Sequence, residues 1–210
     1  MKTLTKTLLF FCFLMGSASY LQAQISYGAR LGYTLSNFNR QGKSVSGTKS
    51  DEMIKGLDIG LLAEVRLTKG LTFQPELQFI QKGEVIYDKH FLQSGMRKLS
   101  YVHVPLLFKL SADSKPASFF MTAGPSLGWG LFYKRGPRSE EFNEENHLRR
   151  FELALNVGIG LSYAINKARI FLDMRYMLGM TNVEVRREWD AKNQGFSFGM
   201  GVLVDLKSAD

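Results

Sequence analysis

The residues of this chain that could do chemistry are mainly charges set among apolar neighbours. Asp173 and Arg175 stand two apart in FLDMRYMLGM (Phe171–Met180), while Leu172, Met174, Tyr176 and Leu178 hold the opposite parity. Successive side chains of an extended strand point to opposite faces, so the charged pair shares one face and the oily residues the other. Arg30, Asp58, Glu64, Arg66, Glu76 and Glu152 occupy equivalent polar positions in other alternating segments. Opposite charges on one face of neighbouring strands pair across the sheet. That pattern points to salt bridging.

Residue sets for catalysis or metal binding are incomplete. The histidines are His90, His103 and His147, with no HExxH spacing and no cysteine beside them, so no metal site is expected. EEFNEENH (Glu140–His147) is rich in carboxylates but lacks the spacing of an EF-hand loop. Ser94 and His90 share one polar segment, and Ser139 and His147 another, without the order of a catalytic triad. The expectation is a non-enzymatic protein without a cofactor.

Lys2 and Lys6 precede the apolar run LLFFCFLM (Leu8–Met15), and small residues follow. This is the layout of a secretory signal peptide, too short to span a bilayer. Residues 1–23 are expected to be removed after Ala23, leaving 24–210 as one domain. The only cysteine, Cys12, falls in the leader, so the exported domain uses no disulfide. The net charge is +8, with acidic and basic residues interleaved, which argues against a nucleic-acid-binding stripe.

What must position the charges is a series of segments with period-two alternation. They are ISYGARLGYTLS, GLDIGLLAEVRL, LTFQPELQF, LSYVHVPLLFKL, FFMTAGPSLGWGLFY, FELALNVGIGLSY, FLDMRYMLGM and GFSFGMGVLVDL. In the fourth, Val102, Val104, Leu106, Phe108 and Leu110 are read as one face. Each is near the length needed to cross a bilayer at a tilt. Long polar connections (Asn37–Lys55, Val85–Lys98, Lys134–Arg150, Thr181–Gln194) alternate with the short TKG, SADSKPA and INKA. The pattern predicts an all-β, eight-stranded antiparallel up-and-down transmembrane β-barrel, both chain ends on the short-loop, periplasmic side.

Glycine decides which face is inside. Gly28, Gly32, Gly56, Gly60, Gly124, Gly128, Gly130, Gly158, Gly160, Gly179, Gly199 and Gly201 share the parity of the charges. A wet strand face gains nothing from residues that weaken the strand. The interior of a narrow barrel needs them, because side chains must fill it. Tyr27, Tyr33, Trp129, Tyr133, Phe151 and Tyr163 fall near strand ends on the oily parity, with Leu61, Ile159 and Leu172 between. Such girdles mark a lipid-facing surface. The charges therefore point into the lumen and are expected to plug it, since eight strands leave little room for water. Pro75, Pro105 and Pro125 each remove a ladder hydrogen bond, so bulges are expected there.

The blocks YVHVPLLFKL, FFMTAGPSLGWG and FLDMRYMLGMTNV resemble those of the Bacteroidota outer-membrane β-barrel family, whose members are labelled porin-family or PorT-like. The likeness is carried by Tyr101, Pro105, Leu106, Leu107 and Lys109, by Ala123, Gly124 and Pro125, and by Arg175, Tyr176, Gly179, Thr181 and Asn182. The chain departs from the usual aromatic barrel ending with VDLKSAD. The resemblance implies an eight-strand barrel in the Gram-negative outer membrane. It does not by itself imply one activity.

The first expectation for function is a structural or interaction protein, monomeric, with polar extracellular loops and a mostly filled lumen. A narrow passive pore and a PorT-like accessory of protein export are the alternatives. The expected partners are membrane lipid and an envelope protein. Arg135, Arg138, Arg149 and Arg150 could touch lipopolysaccharide phosphates, although charged loops also arise for solubility alone.

Overall fold

The computed structural model describes residues 25–41, 52–88, 93–112, 116–135, 138–141, 149–183 and 190–206. The leader, His90, His147, and most of the Glu140–His147 segment lie outside the described residues. The strands are β1 (Ile25–Gln41), β2 (Ile54–Thr68), β3 (Leu71–Asp88), β4 (Gln93–Ser111), β5 (Ala117–Arg135), β6 (Arg138–Glu141), β7 (Phe151–Ile165), β8 (Ala168–Gly179) and β9 (Asp190–Asp205).

Neighbours in sequence pair antiparallel, β1 pairs with β9, and β4 pairs with β5, so the sheet closes on itself. Eight long strands form the barrel, and the four-residue β6 only folds back on the end of β5. Closure leaves no unpaired edge through the barrel wall, the condition for strands to cross a bilayer. The short turns and both described chain ends share one rim. Ser26 lies opposite Asp205, and the Leu206 N–H donates to the Ile25 carbonyl at 2.9 Å. Tight reversals there use positive φ at Gly70 (94°) and Asn166 (53°), conformations that glycine and asparagine tolerate.

Several expected connections are shorter than the sequence suggests. β1, β3, β4 and β9 continue into the polar segments at the opposite rim, as far as Gln41, Asp88, Gln93 and Asp190. Polar side chains do not end a strand when a neighbouring strand can keep satisfying its backbone groups.

The proline bulges do not occur. Pairing between β2 and β3 lapses at Ala63 and Glu64, near Pro75, and resumes in the same register. The β3–β4 ladder does the same at Glu76 and Leu77, and β4–β5 at Leu106 and Leu107. Each ring thus removes local bonds without inserting a residue. The register shifts lie elsewhere, between Arg66 and Thr68 and between Ser100 and Tyr101. At the second, Ser100 faces Phe132 while Tyr101 faces Gly130, so Leu131 is the extra residue. One residue of slip reverses the faces, which turns Tyr133 into the core (5 % exposed) instead of the outer girdle.

The outer surface is apolar. Leu31, Leu61, Leu77, Leu161, Leu172 and Met200 are exposed at mid-strand, and Tyr27, Tyr33, Trp129, Phe151 and Tyr163 nearer the ends. In the fourth long strand, Val104, Phe108 and Leu110 face out, and Tyr101, His103, Leu107 and Lys109 face in. An apolar exterior on a closed sheet cannot be driven by burial in water. It matches a hydrocarbon surround.

Candidate functional site: the charged lumen

Inside the barrel, side chains form layers whose order follows strand register. At the short-turn rim is a cavity of about 780 Å³ lined by Ser26, Glu64, Arg66, Thr72, Lys109 and Arg169, among others. Lys109 Nζ donates to Glu64 at 2.6 Å, and Arg169 reaches Glu64 at 2.8 Å and Asp205 at 3.0 Å. Lys109 also lies 4.1 Å from the centre of the Phe120 ring, a cation–π contact. Above it Leu62, Phe120, Phe171 and Leu203 pack together as a buried apolar cluster, the two rings meeting edge to face at 6.5 Å.

The middle layer is ionic. Arg30 donates to Asp173 from Nε at 2.9 Å and Nη2 at 2.7 Å, and from Nη1 to Asp58. Arg175 donates to Asp173 from Nε at 2.8 Å and to both Glu76 oxygens at 2.7 and 2.9 Å. Gln78 donates to Asp58 at 2.6 Å, Ser197 bonds the same carboxylate, and Gln74 donates to Glu76 at 2.5 Å. Burying charge is tolerable only when each group is paired and bonded. Here each carboxylate faces a guanidinium. Glycine provides the room, since a Cβ at Gly199 would overlap the Arg30 guanidinium.

The next layer centres on Glu152. It accepts from Lys82 at 3.2 Å and from Asn193 at 3.1 Å, and pairs with His103 Nε2 at 3.2 Å. His103 Nδ1 lies 2.8 Å from Ser126 Oγ. A hydroxyl, an imidazole and a carboxylate in line resemble a nucleophile relay. Yet Ser126, His103 and Glu152 are all buried, and both described cavities lie at the short-turn rim. Phe38, Ile80, Leu99, Tyr101, Tyr133, Met177, Val183 and Ala191 then pack as an apolar cluster toward the long-loop rim.

Of the residues expected in a lumenal network, Arg30, Asp58, Glu76, Asp173 and Arg175 form one connected cluster. Glu64 and Glu152 are inside but belong to separate layers. Arg66 keeps the inner parity and lines the short-turn cavity, where it is exposed at the rim and lies outside that cluster. Lys82, His103, Lys109 and Arg169 were missed as charge partners. Parity would have found them, since each continues the inward phase of a strand already recognised. Side chains of Ser94, Arg135, Arg138 and Ser139 are outside the description, while Arg149 and Arg150 are exposed.

A closed, narrow antiparallel barrel with an apolar exterior and an ion-paired interior defines a membrane-spanning β-barrel protein. The chain belongs to the outer membrane protein beta-barrel domain family, which matches residues 20–184, and its location is accordingly the outer membrane. No curated protein matches it. Among solved structures it is similar to Neisserial surface protein A (NspA), with 17% identity, TM-score 0.56, and coverage of 87% of this chain and 97% of that one. It is also similar to OprG from Pseudomonas aeruginosa, with 9% identity, TM-score 0.57, and coverage of 88% and 97%. At such identity the likeness concerns the fold.

Proposed function

We propose that this is a non-conducting, non-enzymatic structural or interaction protein of the outer membrane, exported by its leader and acting as a monomer. Its termini face the periplasm, and its long loops meet partners outside. The observation that carries this reading is the stacked lumen: paired charges in two layers lie between apolar clusters, with His103 and Ser126 enclosed among them. An aqueous path would have to separate several buried ion pairs at once, each costly to break.

Single-channel recording in planar bilayers tests the reading. The expected record is silent. Steady, discrete conductance would replace the plugged barrel with a narrow pore. Loss of secreted cargo on deletion, with the envelope intact, would instead favour a PorT-like role in export.

A further inference from the structure

Near the long-loop rim two lysines meet on the outer face of the barrel. Lys98 of β4 stands directly opposite Lys134 of β5. Directly opposed side chains on a sheet have Cβ atoms about 5 Å apart, and like charges there are destabilising. Lys134 is exposed and Lys98 half-buried, and neither has an ion-pair partner among the described side chains, which exclude those of Glu140 and Glu141. Arg97, next along β4, is turned to Glu84 in the lumen at 3.8 Å. Across β5 on its other side, Glu140 and Glu141 of β6 stand opposite Tyr133 and Phe132, with Ser139 opposite Lys134. Lys55 of β2 is a further exposed cation on this outer face.

The surroundings are apolar. Met96, Trp129 and Leu131 are exposed on the same face of the same two strands. Lysines that rise from an apolar, aromatic surface place their stems against acyl chains and their ammonium groups at headgroup depth. Phosphate is the anion available at that depth.

We propose that Lys98 and Lys134, assisted by Lys55, form a docking site for the phosphate of an outer-leaflet glycolipid of the lipid A type. The site rests on the reading that the long loops face outward. One phosphate between the two ammonium groups converts a like-charge pair into two charge-assisted hydrogen bonds. The adjoining Trp129 and Leu131 surface receives the acyl chains.

The test uses full-length protein in neutral detergent, with bisphosphorylated lipid A added in mixed micelles. The readout is the midpoint of heat-modifiable migration on gels, titrated with lipid. Lipid A should raise the midpoint, dephosphorylated lipid A should not, and K98Q/K134Q should bind about 25-fold more weakly, about fivefold per lysine. K69Q/K167Q, which removes two exposed cations from the other rim, should keep the full shift. If the double variant folds poorly, K134Q alone should show the fivefold loss. Equal shifts in wild type and K98Q/K134Q, or an equal shift from dephosphorylated lipid, would overturn the site. A shift from inorganic phosphate alone would also overturn it as a lipid site. The assay is independent of conductance and orientation, so its failure is separable from failure of the plugged-barrel reading.

Discussion

Replacing Asp173 by asparagine removes the charge that joins the two buried arginines. Its carboxylate accepts from Arg30 at 2.7 and 2.9 Å and from Arg175 at 2.7 and 2.8 Å. Asparagine keeps the volume but offers one acceptor, and turns an amide donor toward a guanidinium. Removing one partner from a buried ionic set costs about 3–5 kcal/mol, because the remaining charge stays desolvated. Arg30 retains Asp58 and Arg175 retains Glu76, so D173N should lie near the lower end, about 3 kcal/mol. The measurement is urea unfolding of barrels folded into phosphatidylcholine vesicles, followed by tryptophan fluorescence. R175Q and D173N/R175Q complete a cycle, with an expected coupling of about 1 kcal/mol or more. A loss under about 1 kcal/mol for D173N, with additive effects in the double variant, would refute the view that these charges form one unit.

Other sites test the remaining parts of the architecture. G199V should destabilise by about 1–3 kcal/mol through overpacking against the Arg30 guanidinium, measured by the same unfolding. L61R, at an outward position 63 % exposed in the isolated chain, should cost about 2–4 kcal/mol in lipid vesicles; a neutral result would argue against a mid-bilayer position. K109M should cost about 1.5–3 kcal/mol by depriving Glu64 of a charged donor, with K109R recovering part of the loss.

The barrel was legible because membrane and lumen impose opposite demands on alternate residues. Leu61, Ile159 and Leu172 on one parity, with Gly60, Gly158 and Asp173 on the other, give the strand period, the closed form and the inward face together. The inward direction of Arg30, Asp58, Glu64, Glu76, Glu152, Asp173 and Arg175 followed from that parity and holds in the structure. Tyr133 was misplaced because alternation is a local count, while the slip at Leu131 depends on how β5 meets β4. Pro75, Pro105 and Pro125 gave a similar lesson. The missing N–H was visible, but whether a neighbouring strand absorbs the gap or shifts register is decided by the sheet.

Sequence by itself therefore determined the number of long strands and, wherever no slip such as that at Leu131 intervenes, which face of each turns inward, since alternation is a repeat of two residues along one strand. Tertiary structure alone decided which charge meets which. Asp173 serves both Arg30 and Arg175, whereas Glu152 lies beyond their reach and pairs with Lys82 and His103. The physical reason is that pairing inside a barrel depends on the stagger of strands distant in sequence. Parity fixes a direction across the wall, but only register fixes height along the axis.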